Sequence, residues 1–173
     1  MPTDSNGLIV PWMSVPFVKF LTPRIKGMHL SIFEYGAGAS TQYFHRLKMT
    51  VTSVESNFDW YNKVKTLGLE HVNLVFEPDP NAYCQSIGRN NKKYDLVVID
   101  GLLRELCLPI SINHVTPSGV IVLDNSDRDS YRGAISHVMS LGYRKIDFYG
   151  FAPCSIEETV TSVFYPPENI LGI

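Results

Sequence analysis

The chain of 173 residues is 45% hydrophobic and 18% charged, the balance of a soluble globular protein with enough length for one layered core. Its formal net charge of −2 excludes a general binder of nucleic-acid backbones, which needs clustered positive charge. Cys84, Cys107 and Cys154 are odd in number and widely spaced. That excludes a full disulfide framework and any CxxC zinc site, and predicts reduced thiols in a cytoplasmic protein. Asp4 stands where a signal peptide would be basic, and the apolar stretch from Leu8 to Leu21 is too short and too broken by Pro11, Pro16 and Lys19 to span a bilayer. No membrane or nucleic-acid partner is expected.

Pro11 to Leu21 reads as a lead-in loop and a short helix, with Pro16 in its first turn and Phe17, Phe20 and Leu21 on one face. His29 to Thr41, HLSIFEYGAGAST, then reads as strand, tight glycine turn and helix start, the opening unit of a nucleotide-binding sheet. Helix 40–47 and strand 50–54 follow, and the strand ends at Glu55. Ser56 or Asn57 can cap the next helix, whose apolar positions Phe58, Tyr61 and Val64 have the helical period and which stops at Gly68. Residues 71–76 form a third strand. The segment EPDPNAYCQSIG is irregular, with at most a short helix. DLVVID (95–100) and GVIVL (119–123) are apolar runs of strands buried on both faces. Between them a helix is expected only from Pro109, since an internal proline breaks helices. Tyr131, Ala134, Ile135, Val138 and Met139 share a helical face. Strands 143–149 and 159–165 have no helix between them, so they should pair antiparallel.

Five strand–helix repeats and a terminal strand pair predict a single α/β domain over 1–173. Its Rossmann-like, doubly wound sheet is mostly parallel with an antiparallel terminal strand, and helices cover both faces. Residues 1–28 would cover the site. In such sheets ligands bind beyond the carboxyl ends of the strands, where this chain places Glu34, Gly36, Glu55, residues 77–79, Asp100 and the Asp124–Asn125 pair. Gly36 and Gly38 allow a sharp turn and close approach to a ligand, and Ser40 and Thr41 open the helix. Glu55 stands about 20 residues past the turn, where an acid can accept hydrogen bonds from ribose hydroxyls. Asp79 is a candidate for the adenine amino group. Asp100, Asp124 and Asn125, at two neighbouring strand ends, make a hard-oxygen set suited to Mg²⁺, Mn²⁺ or Ca²⁺. The bland alternative is that Asp100 only orients a ligand and Asp124–Asn125 only cap a helix. Arg104 and Arg128 are read as holders of an anionic group or as partners of Asp127 or Asp129. Trp12 and Met13 are read as a closure over the site or as core.

The third glycine of the dinucleotide fingerprint is Thr41, so Glu34-x-Gly36-x-Gly38 resembles motif I of class I S-adenosylmethionine (SAM) dependent methyltransferases more than an NAD site. VVIDG and VLDNS resemble the metal site of the catechol O-methyltransferase family, although that family's lysine three residues after the first Asp is Leu103 here. PWMSVP, FEYGAGAST, VVIDGLLRELC, VLDNSDR, DFYGFAP and TSVFY together resemble a group of short methyltransferase-like proteins. The resemblance implies SAM held by Glu34, Gly36, Gly38, Ser40, Thr41, Glu55 and Asp79. It also implies a small-molecule acceptor, with oxygen favoured, and Asp100 as base or metal ligand beside Asp124 and Asn125. Two rivals stay open: a metal-free methyltransferase acting on a sugar or amine, and a non-catalytic SAM-binding module.

Overall fold

The computed structural model describes all residues 1–173. Strands β1 (Ser31–Tyr35), β2 (Thr50–Glu55), β3 (Val72–Phe76), β4 (Tyr94–Ile99), β5 (Val115–Leu123), β6 (Arg144–Phe151) and β7 (Glu158–Tyr165) form one sheet in the order β3-β2-β1-β4-β5-β7-β6. The first five are parallel, and β7 runs antiparallel between β5 and β6. Helices α1 (Val15–Ile25), α2 (Ala39–Arg46), α3 (Phe58–Lys65), α4 (Pro80–Gln85), α5 (Arg104–Ser111) and α6 (Arg132–Ser140) surround it. The doubly wound sheet with an antiparallel terminal pair is the one expected from the sequence.

Alternation along the central strands builds two cores. Phe33, Val97, Ile99, Ile121 and Leu123 point to one face, packed with Cys107 and Leu108 of α5 and Val138 of α6. Ile32, Leu96, Val98, Val120 and Val122 point to the other, with Phe17, Leu21 and Ile25 of α1 and Tyr43 and Phe44 of α2. Successive Cβ atoms leave a strand on opposite sides, so a strand covered on both faces must be apolar at every position.

Two local expectations are corrected. Helix α1 continues to Ile25 through Pro23, because Phe17, Leu21 and Ile25, one turn apart, are all buried against the sheet. Helix α5 begins at Arg104, not Pro109, and carries that proline internally. Burial of Cys107 and Leu108 and the bonds of Arg104 at its start outweigh one lost backbone hydrogen bond. Residues 80–85 form the short helix that the sequence allowed there, α4, capped by Asp79 accepting from the Ala82 N–H at 2.8 Å. On the α6 face Met139 is 39% exposed, and Val138 carries the packing.

Residues before α1 lie against the site. The Ser14 N–H donates to Thr161 Oγ1 of β7 at 3.1 Å, fixing the entry of α1 at the carboxyl end of the sheet. Leu21, 1% exposed in the core between α1 and the sheet, tests whether this helix is integral to the fold. Leu21→Ala should cost about 2–5 kcal/mol of unfolding free energy, measured by urea denaturation. A loss under about 0.5 kcal/mol would mean that α1 only rests on the surface.

Candidate active site

The glycine turn is held from below. Glu34 is fully buried, and its Oε2 accepts from Thr41 Oγ1 at 2.5 Å and from the Ser53 hydroxyl. Thr41 Oγ1 in turn accepts from the Gly38 N–H at 2.8 Å. Glu34 and Thr41 therefore shape the loop and do not line the cavity above it. Burial pushes the Glu34 carboxyl up from its ordinary value, against the hydrogen bonds from Ser40, Ser53 and Thr41 that favour the charged form.

Gly36 has a φ of +91° and its Cβ position lies 2.9 Å from Gly101 Cα, so only glycine fits there. Gly101 is equally constrained, since a Cβ would stand 1.9 Å from the Tyr83 hydroxyl. The backbones after β1 and β4 are thus in direct contact. Above them lies a cavity of about 520 Å³ lined by residues that include Gly36, Gly38, Ser40, Glu55, Trp60, Tyr83 and Asp100. Glu55, 7% exposed, accepts from the Ala37 N–H through Oε2 and from the Ser56 and Asn57 N–H groups through Oε1. The Trp60 indole donates to the Ala37 carbonyl, and Met1, Pro2 and Trp12 close the rim. The buried Tyr83 hydroxyl has no partner. Asp79 does not line this cavity; its carboxylate caps α4 instead.

At the ends of β4 and β5 the three expected oxygen ligands do converge, but around a side chain. Arg104 Nη1 donates to the Asp124 carbonyl at 2.8 Å and to Asn125 Oδ1 at 2.9 Å. Nη2 donates to the Asp100 carbonyl at 3.1 Å and stands 2.9 Å from Asp100 Oδ1. Nε donates to the Gly101 carbonyl at 3.0 Å, and Asp124 Oδ2 lies 3.7 Å from Nη1. A permanently charged guanidinium therefore occupies the middle of the set. The expected Mg²⁺, Mn²⁺ or Ca²⁺ site does not fit these residues. Asp124 and Asn125 are further engaged by Thr161 Oγ1, donating to Asp124 at 2.6 Å, and by Thr159, which accepts from Asn125 at 2.7 Å. No group of three or more His, Cys, Asp or Glu side chains is arranged to hold a metal elsewhere.

Arg104 reaches inward because Leu103 before it takes a left-handed conformation, φ +47°, which for leucine costs on the order of 1–3 kcal/mol. The predicted partners of the arginines are corrected as well. Arg104 pairs with Asp100 and Asp124, and Arg128 bonds Asn125 Oδ1 and the Tyr131 hydroxyl. Asp129 pairs with Arg132. Burial first, then the charge of Asp124, pushes the Asp100 carboxyl well above the usual carboxylate range, and Arg104 opposes that rise. Burial likewise raises Asp124, against the Thr161 hydrogen bond and Arg104.

Asp100 and Trp12 also line a second cavity, of about 480 Å³, with Asp124, Asn125, Asp127, Arg128 and residues of the β6–β7 loop. The sequence marked neither Trp60 nor Tyr83 as a wall of the site. Their signal was only their position, Trp60 one turn after Asn57 and Tyr83 one turn after Asp79.

No family model matches the sequence, and no curated protein matches it. Solved structures match by fold. The N-methyltransferase NodS from Bradyrhizobium japonicum WM9 superposes with a TM-score of 0.60 over 87% of this chain and 93% of its own, at 11% identity. The O-methyltransferase TomG from Streptomyces achromogenes, in complex with SAM, has a TM-score of 0.62 over 92% of this chain and 82% of its own, at 15% identity. Spermidine synthase from Thermotoga maritima has a TM-score of 0.61 over 85% of this chain and 56% of its own, at 12% identity. The chain has the Rossmann-like fold of the class I SAM-dependent methyltransferases. A synthase shares it, so the fold alone does not specify the chemistry.

Two predictions test this geometry. Arg104→Met leaves two buried carboxylates without their cation and should cost about 3–5 kcal/mol in urea denaturation, whereas Mg²⁺ at millimolar concentration should give no binding heat with the wild type. Heat saturating at one ion per chain would restore the metal site. For Glu34, the folded pKa lies above the ordinary value of 4.5. The folded state therefore keeps a proton that the unfolded chain loses, and stability falls as pH rises from about 4.5 through the folded value. Glu34→Gln removes that slope, so its stability relative to wild type should improve from pH 4.5 to 7. A relative stability that worsens with pH would mean that Glu34 is ionised in the fold.

Proposed function

We propose that the protein is a SAM-dependent methyltransferase acting on a small, polar acceptor without a metal ion. The observation that carries this reading is the meeting of two cavities at one carboxylate, Asp100, which lines both. The glycine-turn cavity suits the cofactor in size and lining. Gly36 and Gly101 leave the floor free of side chains, and the Glu55 carboxylate on the wall keeps one acceptor site for a ribose hydroxyl beyond its three backbone bonds. Gly38 and Ser40 complete the wall, while Glu34 and Thr41 hold the loop in place.

SAM would supply an electrophilic methyl group on a sulfonium. The chain then has to align the acceptor with that methyl carbon and take up a proton where the acceptor loses one. Asp100 is the group for both tasks, because it stands at the junction and its raised pKa brings it closer to the acceptor's. Arg104 positions it. Trp12 shields the junction from one side, and no helix is long and apolar enough to cross a membrane.

Calorimetric titration should show SAM and its demethylated product binding while NAD does not. Glu55→Gln keeps the side-chain volume and removes the charge, so SAM affinity should drop by on the order of 1.5 kcal/mol or more, with an unchanged circular dichroism spectrum. Binding of NAD in preference to SAM would overturn the cofactor assignment. Unchanged SAM affinity in Glu55→Gln would remove Glu55 from the cofactor site.

A further inference from the structure

The second cavity has a chemistry of its own. Of its lining residues only Trp12 and Ala152 are apolar, and five are carboxylates: Asp100, Asp124, Asp127, Glu157 and Glu158. The single cation on the wall, Arg128, bonds only neutral groups, Asn125 Oδ1 at 3.3 Å and the Tyr131 hydroxyl at 3.1 Å, so its charge offsets one of the five carboxylates. Arg104, behind the wall, is shared between Asp100 and Asp124. Asp127, Glu157 and Glu158 take part in no ion pair. The indole of Trp12 lies on the wall common to both cavities. A cation is attracted to an indole face as well as to carboxylates.

We propose that the methyl acceptor is a small aliphatic amine, which enters this cavity as an ammonium ion and is methylated on nitrogen. This rests on the methyltransferase reading above and specifies its substrate. What makes the place a site is the cavity and the two lining residues, Asp100 and Trp12, that it shares with the cofactor cavity, and the charge selects what enters. A phosphorylated or carboxylated acceptor would meet five lining carboxylates against one lining cation, Arg128, and would be repelled on balance. An alcohol can donate a hydrogen bond to a carboxylate but carries no charge for the wall to attract. An ammonium ion can donate charge-assisted hydrogen bonds to the lining carboxylates, Glu157, Glu158 and Asp100 among them.

The proton balance is complete without a further reactant. The bound ammonium gives one proton to the Asp100 carboxylate. The freed nitrogen lone pair forms the N–CH₃ bond as the methyl carbon's bond to sulfur breaks, and that electron pair returns to sulfur. The product leaves as the N-methylated ammonium ion, and Asp100 releases its proton to water.

The test uses the full chain with SAM and pairs of matched probes: 1,4-diaminobutane with 1,4-butanediol, and 3-aminopropanol with 1,3-propanediol. Calorimetry with the demethylated cofactor bound should show each amine binding at least tenfold tighter than its diol. With SAM, mass spectrometry should place the new methyl group on nitrogen. The double variant Glu157→Gln/Glu158→Gln should raise KM for the amine roughly tenfold at nearly constant kcat, with SAM affinity unchanged. If SAM binds and no amine exceeds its diol in affinity, or the methyl group is found on oxygen, the amine assignment is overturned while the cofactor reading stands. An unchanged KM in the double variant also overturns it. Failure of SAM itself to bind defeats the underlying reading, a result separable from all of these.

Discussion

The arrangement beyond β4 and β5 depends on one buried cation. Arg104 has a side chain only 11% exposed, yet each of its nitrogens meets an oxygen from one of the two strand ends. A guanidinium offers five donors in a fixed plane and cannot lose its charge. It therefore fixes the spacing of Asp100, Asp124 and Asn125, and prevents two nearby acids from repelling each other apart. The same cation decides what the site can do. Acids that would otherwise form a cup for a divalent ion become a neutralised wall, with Asp100 still 23% exposed to the cavities.

The fold was legible because its signals are local and repetitive. DLVVID and GVIVL announce strands buried on both faces, and the absence of a helical pattern between residues 149 and 159 announces the antiparallel return. Glu55 and the glycine turn were legible because their spacing follows from the βαβ unit. What escaped depends on tertiary contacts. Pro109 argues against a helix from Arg104, and only the buried neighbours of α5 reverse that argument. Asp79 looked like a ligand contact because it follows β3, but two residues of local chain make it a cap.

The metal expectation failed in an instructive way. Sequence correctly placed three oxygen-bearing side chains at adjacent strand ends. It could not show that the arginine one turn beyond Asp100 folds back among them, because that path requires a leucine in a left-handed conformation. Polar residues entering from β7 were also hidden. Thr159 and Thr161 flank Val160 as residues of an ordinary strand would, and only the antiparallel insertion of β7 beside β5 brings its start to the carboxyl end of the sheet.

The contact between Gly36 and Gly101 has a consequence for how such a site can vary. Each glycine's missing Cβ is the space that the other's backbone fills, and Gly101 also lodges the Tyr83 hydroxyl. Neither position has a smaller residue available to compensate for a change at the other. Pairwise exchange, the ordinary route by which packed positions drift together, is therefore closed here. This floor of the first cavity can only be kept or lost as a unit, so diversity in what the site accepts has to come from the walls: the segment around Trp12 and the entry into β7 that carries Glu157 and Glu158.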